Sequence, residues 1–262
     1  MEWFEGLLDR EEGRRGCRDA ALPEARRLSG RVCLVHRTGK PVGAASGAAP
    51  GPSLGWRRIF EEERLAAEPV RTDWEAEAGA AQAVYLFLGA PAYPRGQVAL
   101  VFAGSLTPQA CTPFDTGGLR GGFFGAGSVG EDEARRLFFA AYTDGSALPE
   151  VCAHWIAAHF DDPLDYLRGA QRSAPQRPAL HGLQGADGDR RAWTVEVQVH
   201  EDLPLEPSLR RVVLARRADS RKLPDRWAAL AEVAADETEL DEEEFYGRIT
   251  NTILRFAKEE PA

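Results

Sequence analysis

Strict alternation of apolar and polar residues singles out one stretch of the chain. In Trp193-Thr194-Val195-Glu196-Val197-Gln198-Val199-His200 the three valines fall on one side of an extended backbone, and Thr194, Glu196, Gln198 and His200 fall on the other. The pattern predicts a strand with one face in a core and a polar ledge on the reverse. A second alternation, Arg31 to Arg37, predicts an early strand with Val32, Leu34 and His36 to one side and Cys33 and Val35 to the other, stopped by Gly39-Lys40-Pro41. Val84 to Leu88 and Gln97 to Ala103 are apolar on both sides and predict central strands. Ser208 to Ala215 predicts one strand more.

Helical spacing accounts for most of the remainder. The Arg- and Glu-rich segment to Leu28 predicts one or two short helices, and Trp56 to Ala67 another. Ser128 and Glu131 have capping-box spacing before Ala134, Leu137, Phe138 and Ala141, which recur at helical period. Pro149 to Phe160, Pro163 to Gly169, Asp225 to Val233 and Asp241 to Lys258 follow as helices. The last has acids in its first turn and Arg255 and Lys258 near its end, matching the helix dipole. Val42 to Gly55 and the glycine-rich stretch from Thr112 to Gly130 carry little to bury and predict long mobile loops. No internal repeat or linker divides the chain. The expectation is a single α+β domain over residues 1–262, with an N-terminal helical segment 1–28 and a C-terminal helical segment 225–258.

Composition narrows the function classes. With 262 residues, 44% of them hydrophobic, the chain has ample material for a core. A net charge of -9 argues against nonspecific nucleic-acid binding, which needs clustered Lys and Arg. Cys17, Cys33, Cys111 and Cys152 stand alone, without the paired spacing of a zinc site, so no metal is expected and the thiols read as reduced. The first fifteen residues lack the cationic start and apolar run of a signal peptide, and no stretch reaches the length of a membrane span, which places the expected location in the cytoplasm.

Few motifs survive their own context. Gly125-Ala126-Gly127-Ser128-Val129-Gly130 is a literal GxGxxG that opens a helix, but no strand leads into it and no second strand with a terminal acid follows. A nucleophile elbow at Ser128 would need glycine where Ala126 stands.

His36 and Thr38, two residues apart at the end of an early strand, together with the Glu196 strand and its downstream Leu203-Pro204-Leu205, resemble the ADP-ribosyltransferase family in its bacterial toxin branch. The resemblance covers these two strands and the pair around Tyr85 and Phe102. It implies a split mixed or antiparallel sheet with flanking helices that grips NAD as substrate, with Glu196 catalytic at the nicotinamide ribose. His36 and Thr38 would hold ribose hydroxyls or the carboxamide side. Tyr85, Tyr93 or Phe114 would stack on nicotinamide, and Asp115 and Thr116 would reach a ribose or the acceptor, although the same two residues by themselves read as an Asx-type turn. Gln198, two residues after the glutamate rather than before it, is a candidate for orienting the acceptor and disfavours arginine in that role. The partners implied are NAD and an unidentified macromolecular acceptor or water.

Two other classes fit parts of the sequence. One is a noncatalytic binding or immunity protein that uses the acidic C-terminal helical region as its interface. The other is a hydrolase or nucleotide-binding protein built on Gly125 to Gly130.

Overall fold

A computed structural model describes residues 2–11, 13–29, 33–39, 55–89, 96–103, 106–121, 130–169, 180, 190–233 and 240–258. Its strands, in chain order, are β1 (Leu34–Thr38), β2 (Arg64–Leu65), β3 (Glu68–Pro69), β4 (Gln82–Leu88), β5 (Val98–Phe102), β6 (Ala110–Thr112), β7 (Thr143–Asp144), β8 (Glu196–Val199), β9 (Leu203–Pro204), β10 (Leu209–Leu214) and β11 (Ala231–Glu232). One sheet runs β11-β10-β5-β1-β4-β8-β6-β7, with β3 added to β4, while β2 and β9 form a separate ladder. All its pairings are antiparallel except β10 with β11, so the sheet is mixed, and helices flank it.

The apolar runs lie where unbroken hydrophobicity requires. β5 sits between β10 and β1, and β4 between β1 and β8, and every residue of β5 is buried. Val195, Val197 and Val199 join the main core with Leu86, Leu34, Trp155 and Ile156. Against this core the helix Arg14–Ser29 packs on the helix Leu148–His159, and the helix Glu242–Lys258 packs on β10 and on the helix Pro163–Gly169. A smaller cluster of Trp74, Phe114, Leu119, Ala134, Phe138 and Ala141 forms separately.

The ladder between β1 and β4 is short. Among the described residues the paired positions are Leu34 with Leu88 and Val35 with Phe87, after which β1 continues along β5 to Thr38. β4 continues along β8 and, at its other end, takes β3 on the edge that β1 has left. The sheet therefore opens between its two central strands immediately past Val35.

Several expected boundaries move. The helix expected over Trp56 to Ala67 spans Gly55–Glu62 and ends where Glu63 takes a left-handed φ of 58°, after which the chain extends into β2. The helix from Asp225 stops at Ala228, and the rest of that segment becomes β11, paired to β10. The start of the glycine-rich stretch is no mobile loop. Ala110–Thr112 is a buried strand and Thr116–Arg120 a capped helix, because the Thr112 and Asp115 side chains hydrogen-bond the backbone between and just after them. Residues 42–54 and 122–129, including Ser128 and most of the GxGxxG, lie outside the described residues, as does Tyr93. Gly130 caps the helix Glu131–Ala141 without a side-chain bond. Among the described residues no helix is long and apolar enough to cross a membrane.

Candidate functional site

The polar side of β8 is not a solvated ledge. Glu196 is 0% exposed and Gln198 1%, so both faces of this strand are buried. Three local structures cover the polar face, and each delivers a polar side chain to it.

The first is the short helix Asp73–Glu77. Thr72 is its N-cap, accepting from the Glu75 N–H at 3.1 Å, while Glu75 Oε2 accepts from the Thr72 N–H at 2.9 Å and from its hydroxyl at 2.8 Å. Such boxes ordinarily lie at the surface. Here Glu75 is 0% exposed, and its other oxygen, Oε1, accepts from Tyr85 Oη at 3.1 Å and Gln198 Nε2 at 2.6 Å and lies 2.9 Å from Thr116 Oγ1.

The second is the helix Thr116–Arg120. Asp115 is its N-cap, its carboxylate accepting from the Gly118 N–H, and the Thr112 hydroxyl fixes the approach by donating to the Phe114 carbonyl at 2.6 Å. These bonds turn Thr116 inward, where Oγ1 lies 2.7 Å from Glu196 Oε1. The third is the end of the helix Glu131–Ala141, which brings Tyr142 Oη to 2.9 Å from Gln198 Oε1. His200 Nε2 lies 3.3 Å from both that oxygen and Tyr142 Oη.

Gln198 holds the center. Its amide nitrogen donates to Glu75 Oε1 and, at 3.1 Å, to Glu196 Oε1, while its oxygen accepts from the rim. Among the described residues the Glu196 carboxyl bonds only to Thr116 and Gln198, and its Oε2, though buried, has no hydrogen-bond partner. Burial, followed by the nearby Asp115 and Glu75, pushes the Glu196 carboxyl up to about 8. Burial and Glu75 likewise raise the Tyr85 and Tyr142 phenols, and burial lowers the His200 imidazole. The Arg71 guanidinium stacks on the Tyr85 ring, 4.2 Å from its centroid.

Of the residues singled out in the sequence, Glu196, Gln198, Tyr85 and Thr116 meet in this network, with Asp115 as the cap behind it. Tyr85 takes part through its hydroxyl, with its ring beneath Arg71. Phe114 does not belong to the site; it is 0% exposed within the smaller apolar cluster, so it has no free face for stacking.

His36 and Thr38 also stand apart. Directly paired residues of an antiparallel ladder share a face, and Val35 pairs with Phe87, which pairs with Glu196. His36, one residue on, has the opposite parity, so strand register does not set it beside Glu196. The His36 ring instead bonds across the opening between β1 and β4, with Nδ1 2.9 Å from the Tyr85 carbonyl oxygen, and burial lowers its pKa. Thr38 closes β1 opposite Val98.

Glu75 and Tyr142 went unread in the sequence. Thr72-Asp73-Trp74-Glu75 does carry the capping-box signature, which reveals a helix start but not a buried carboxyl. Nothing around Tyr142 separates it from a core aromatic. Among the described residues no group of three or more His, Cys, Asp or Glu is arranged to hold a metal ion. Comparison of the chain with protein-family models, curated proteins and solved structures gives no match.

Proposed function

We propose that the chain cleaves NAD at the Glu75–Glu196 pair and passes ADP-ribose to a macromolecular acceptor or to water, on a split-sheet scaffold like that of the ADP-ribosyltransferases. One observation carries this reading. Two carboxyls lie in a buried site, joined through Thr116 and Gln198, and no Lys or Arg is hydrogen-bonded to either among the described residues. A site of that kind is complementary to a group that is cationic or becomes cationic, since fixed negative charge in a low dielectric acts on positive charge as it develops.

NAD supplies such a group twice. Its nicotinium ring is positive at the start, and when the bond from ribose C1′ to the ring nitrogen breaks, the electron pair leaves with neutral nicotinamide and the charge passes to the ribose. The nucleophile then adds at C1′ and releases its proton. Glu196 is the carboxylate we assign to the ribosyl cation, because its buried Oε2 has no hydrogen-bond partner among the described residues. The open ladder past Val35, with His36 and Tyr85 at its edge, supports a ligand entering between β1 and β4; His36 would contribute there and not beside Glu196.

The test is incubation with labelled NAD, alone and with a bacterial lysate, followed by mass spectrometry of nicotinamide and of modified products. Glu196→Gln keeps the shape and removes the charge. We expect turnover to fall by roughly a hundredfold or more, with a smaller change in NAD affinity, because the lost interaction grows in the transition state. Equal NAD consumption by the variant and the wild type rejects the reading.

A further inference from the structure

The hydrogen-bond geometry around Thr116 fixes a proton count. Its hydroxyl carries one proton and two lone pairs, yet Oγ1 lies 2.9 Å from Glu75 Oε1 and 2.7 Å from Glu196 Oε1. It can donate to only one of them. With both carboxyls ionised, the other contact would set an oxygen lone pair against an anion at hydrogen-bonding distance in a dry interior. The arrangement closes only if one carboxyl carries a proton and donates it to Thr116.

The remaining partners decide which one. Glu75 accepts from the Thr72 N–H, the Thr72 hydroxyl, the Tyr85 hydroxyl and Gln198 Nε2 before Thr116 is considered. Among the described residues Glu196 Oε1 has only Gln198 Nε2 besides Thr116. An acceptor surrounded by donors has no place for a proton of its own, whereas Glu196 Oε1, with one donor beside it, can hold the proton that reaches Thr116.

We propose that Glu75 is a positioning residue for Glu196: the two carboxyls share one proton through Thr116, and Glu75, with its oxygens filled by donors, leaves that proton on Glu196 until a cation enters. The proton then leaves to solvent and the freed carboxylate faces the cation. That last step rests on the NAD reading; the sharing itself does not. Among the described residues the other titratable or charged groups facing the pair are Asp115 at the helix cap, Tyr85 on β4, Tyr142 and His200 at the rim, Arg71 stacked on Tyr85, and Cys111 on β6 near Tyr142. Asp115 adds to the negative field on Glu196, and its own carboxylate accepts from the Gly118 N–H at the helix cap.

Carbon-13 NMR of protein labelled at the Glu side-chain carboxyls tests the proposal without NAD. In the wild type we expect one Glu carboxyl that is still protonated at pH 7, and whose signal disappears in Glu196→Gln. Glu75→Gln preserves the capping box, which accepts either residue at that position, and should lower the Glu196 midpoint by about one unit or more. A wild-type Glu196 that is ionised at pH 6 overturns the proposal whether or not any variant folds. So does an unchanged midpoint in Glu75→Gln. A lowered midpoint in a protein that leaves NAD intact keeps the shared proton and removes the NAD reading; Glu196-dependent cleavage with an unmoved midpoint does the reverse.

Discussion

Glu75 and Glu196 face each other across a single hydroxyl, that of Thr116, with neither carboxyl exposed to solvent. Burying two like charges this close is costly, and burial together with Asp115 and Glu75 pushes the Glu196 carboxyl up to about 8.

The first prediction is a dependence of stability on pH. The Glu196 carboxyl is raised from 4.5 to about 8 on folding. Between those values the folded chain holds a proton that the unfolded chain has released, so this contribution to stability is complete below pH 4.5, declines as pH rises, and is gone above about 8. Glu196→Gln imitates the protonated form at every pH. Thermal melts should show the two proteins alike near pH 5 and the variant higher at pH 9, by roughly 5 °C or more. Parallel melting curves over that range would mean that Glu196 does not titrate there.

Most of the scaffold was legible because an apolar environment on both faces leaves an unbroken apolar run, as in β4 and β5, whereas an apolar core on one face and a polar cluster on the other leave alternation, as in β8, which is buried on both. The site was legible only in part. Alternation separates the two sides of β8 but does not say whether the polar side meets water or another polar cluster. Here it meets Glu75, a residue whose local sequence speaks only of a helix cap. His36 was misplaced for a related reason. Parity along a strand is fixed, but the loss of the β1–β4 ladder after Val35 depends on which strand comes to lie beside it, and β5, not β4, keeps β1 company to its end.

Gln198 is the second test. Its amide donates to both carboxyls, so it stabilises the pair as well as orienting it. Gln198→Ala leaves buried acceptors without a donor and should cost about 2 kcal/mol in chemical denaturation. An exposed strand residue would cost about half a kcal/mol or less. Finding the smaller loss would show that the network reaches water.

At the opening between β1 and β4, His36 must carry its proton on Nδ1, since its partner there is the Tyr85 carbonyl. His36→Ala removes this bond and should lower stability by about 1 kcal/mol. If NAD enters between these strands, the same variant should raise KM for NAD with little change in kcat. A change in stability with unaltered KM would confine His36 to a structural role.

Beyond the site, Arg37 ties the C-terminal helix to β1, and the tie has a direction. The guanidinium is 0% exposed; it donates to the Gly96 carbonyl at 3.0 Å and to the Glu242 carboxylate at 2.8 Å and 3.1 Å, and it lies 5.1 Å from the center of the Phe245 ring. Gly96 can approach because it has no side chain: with a φ of 84°, a Cβ there would lie 2.4 Å from the Thr38 carbonyl oxygen. Glu242 is 32% exposed, so it regains water when its partner is removed, whereas Arg37 cannot. Arg37→Met fills the same space with an apolar side chain and leaves Glu242 to rehydrate; Glu242→Ala takes from the buried guanidinium the carboxylate that meets it at 2.8 Å and 3.1 Å. We therefore expect Glu242→Ala to be the more destabilising of the two, by about 1 kcal/mol or more in denaturant unfolding, with hydrogen exchange quickening first in the opening turn of the helix Glu242–Lys258. The reverse order would show that the packing of the arginine stem, and not the desolvation of its charge, governs how this helix is held.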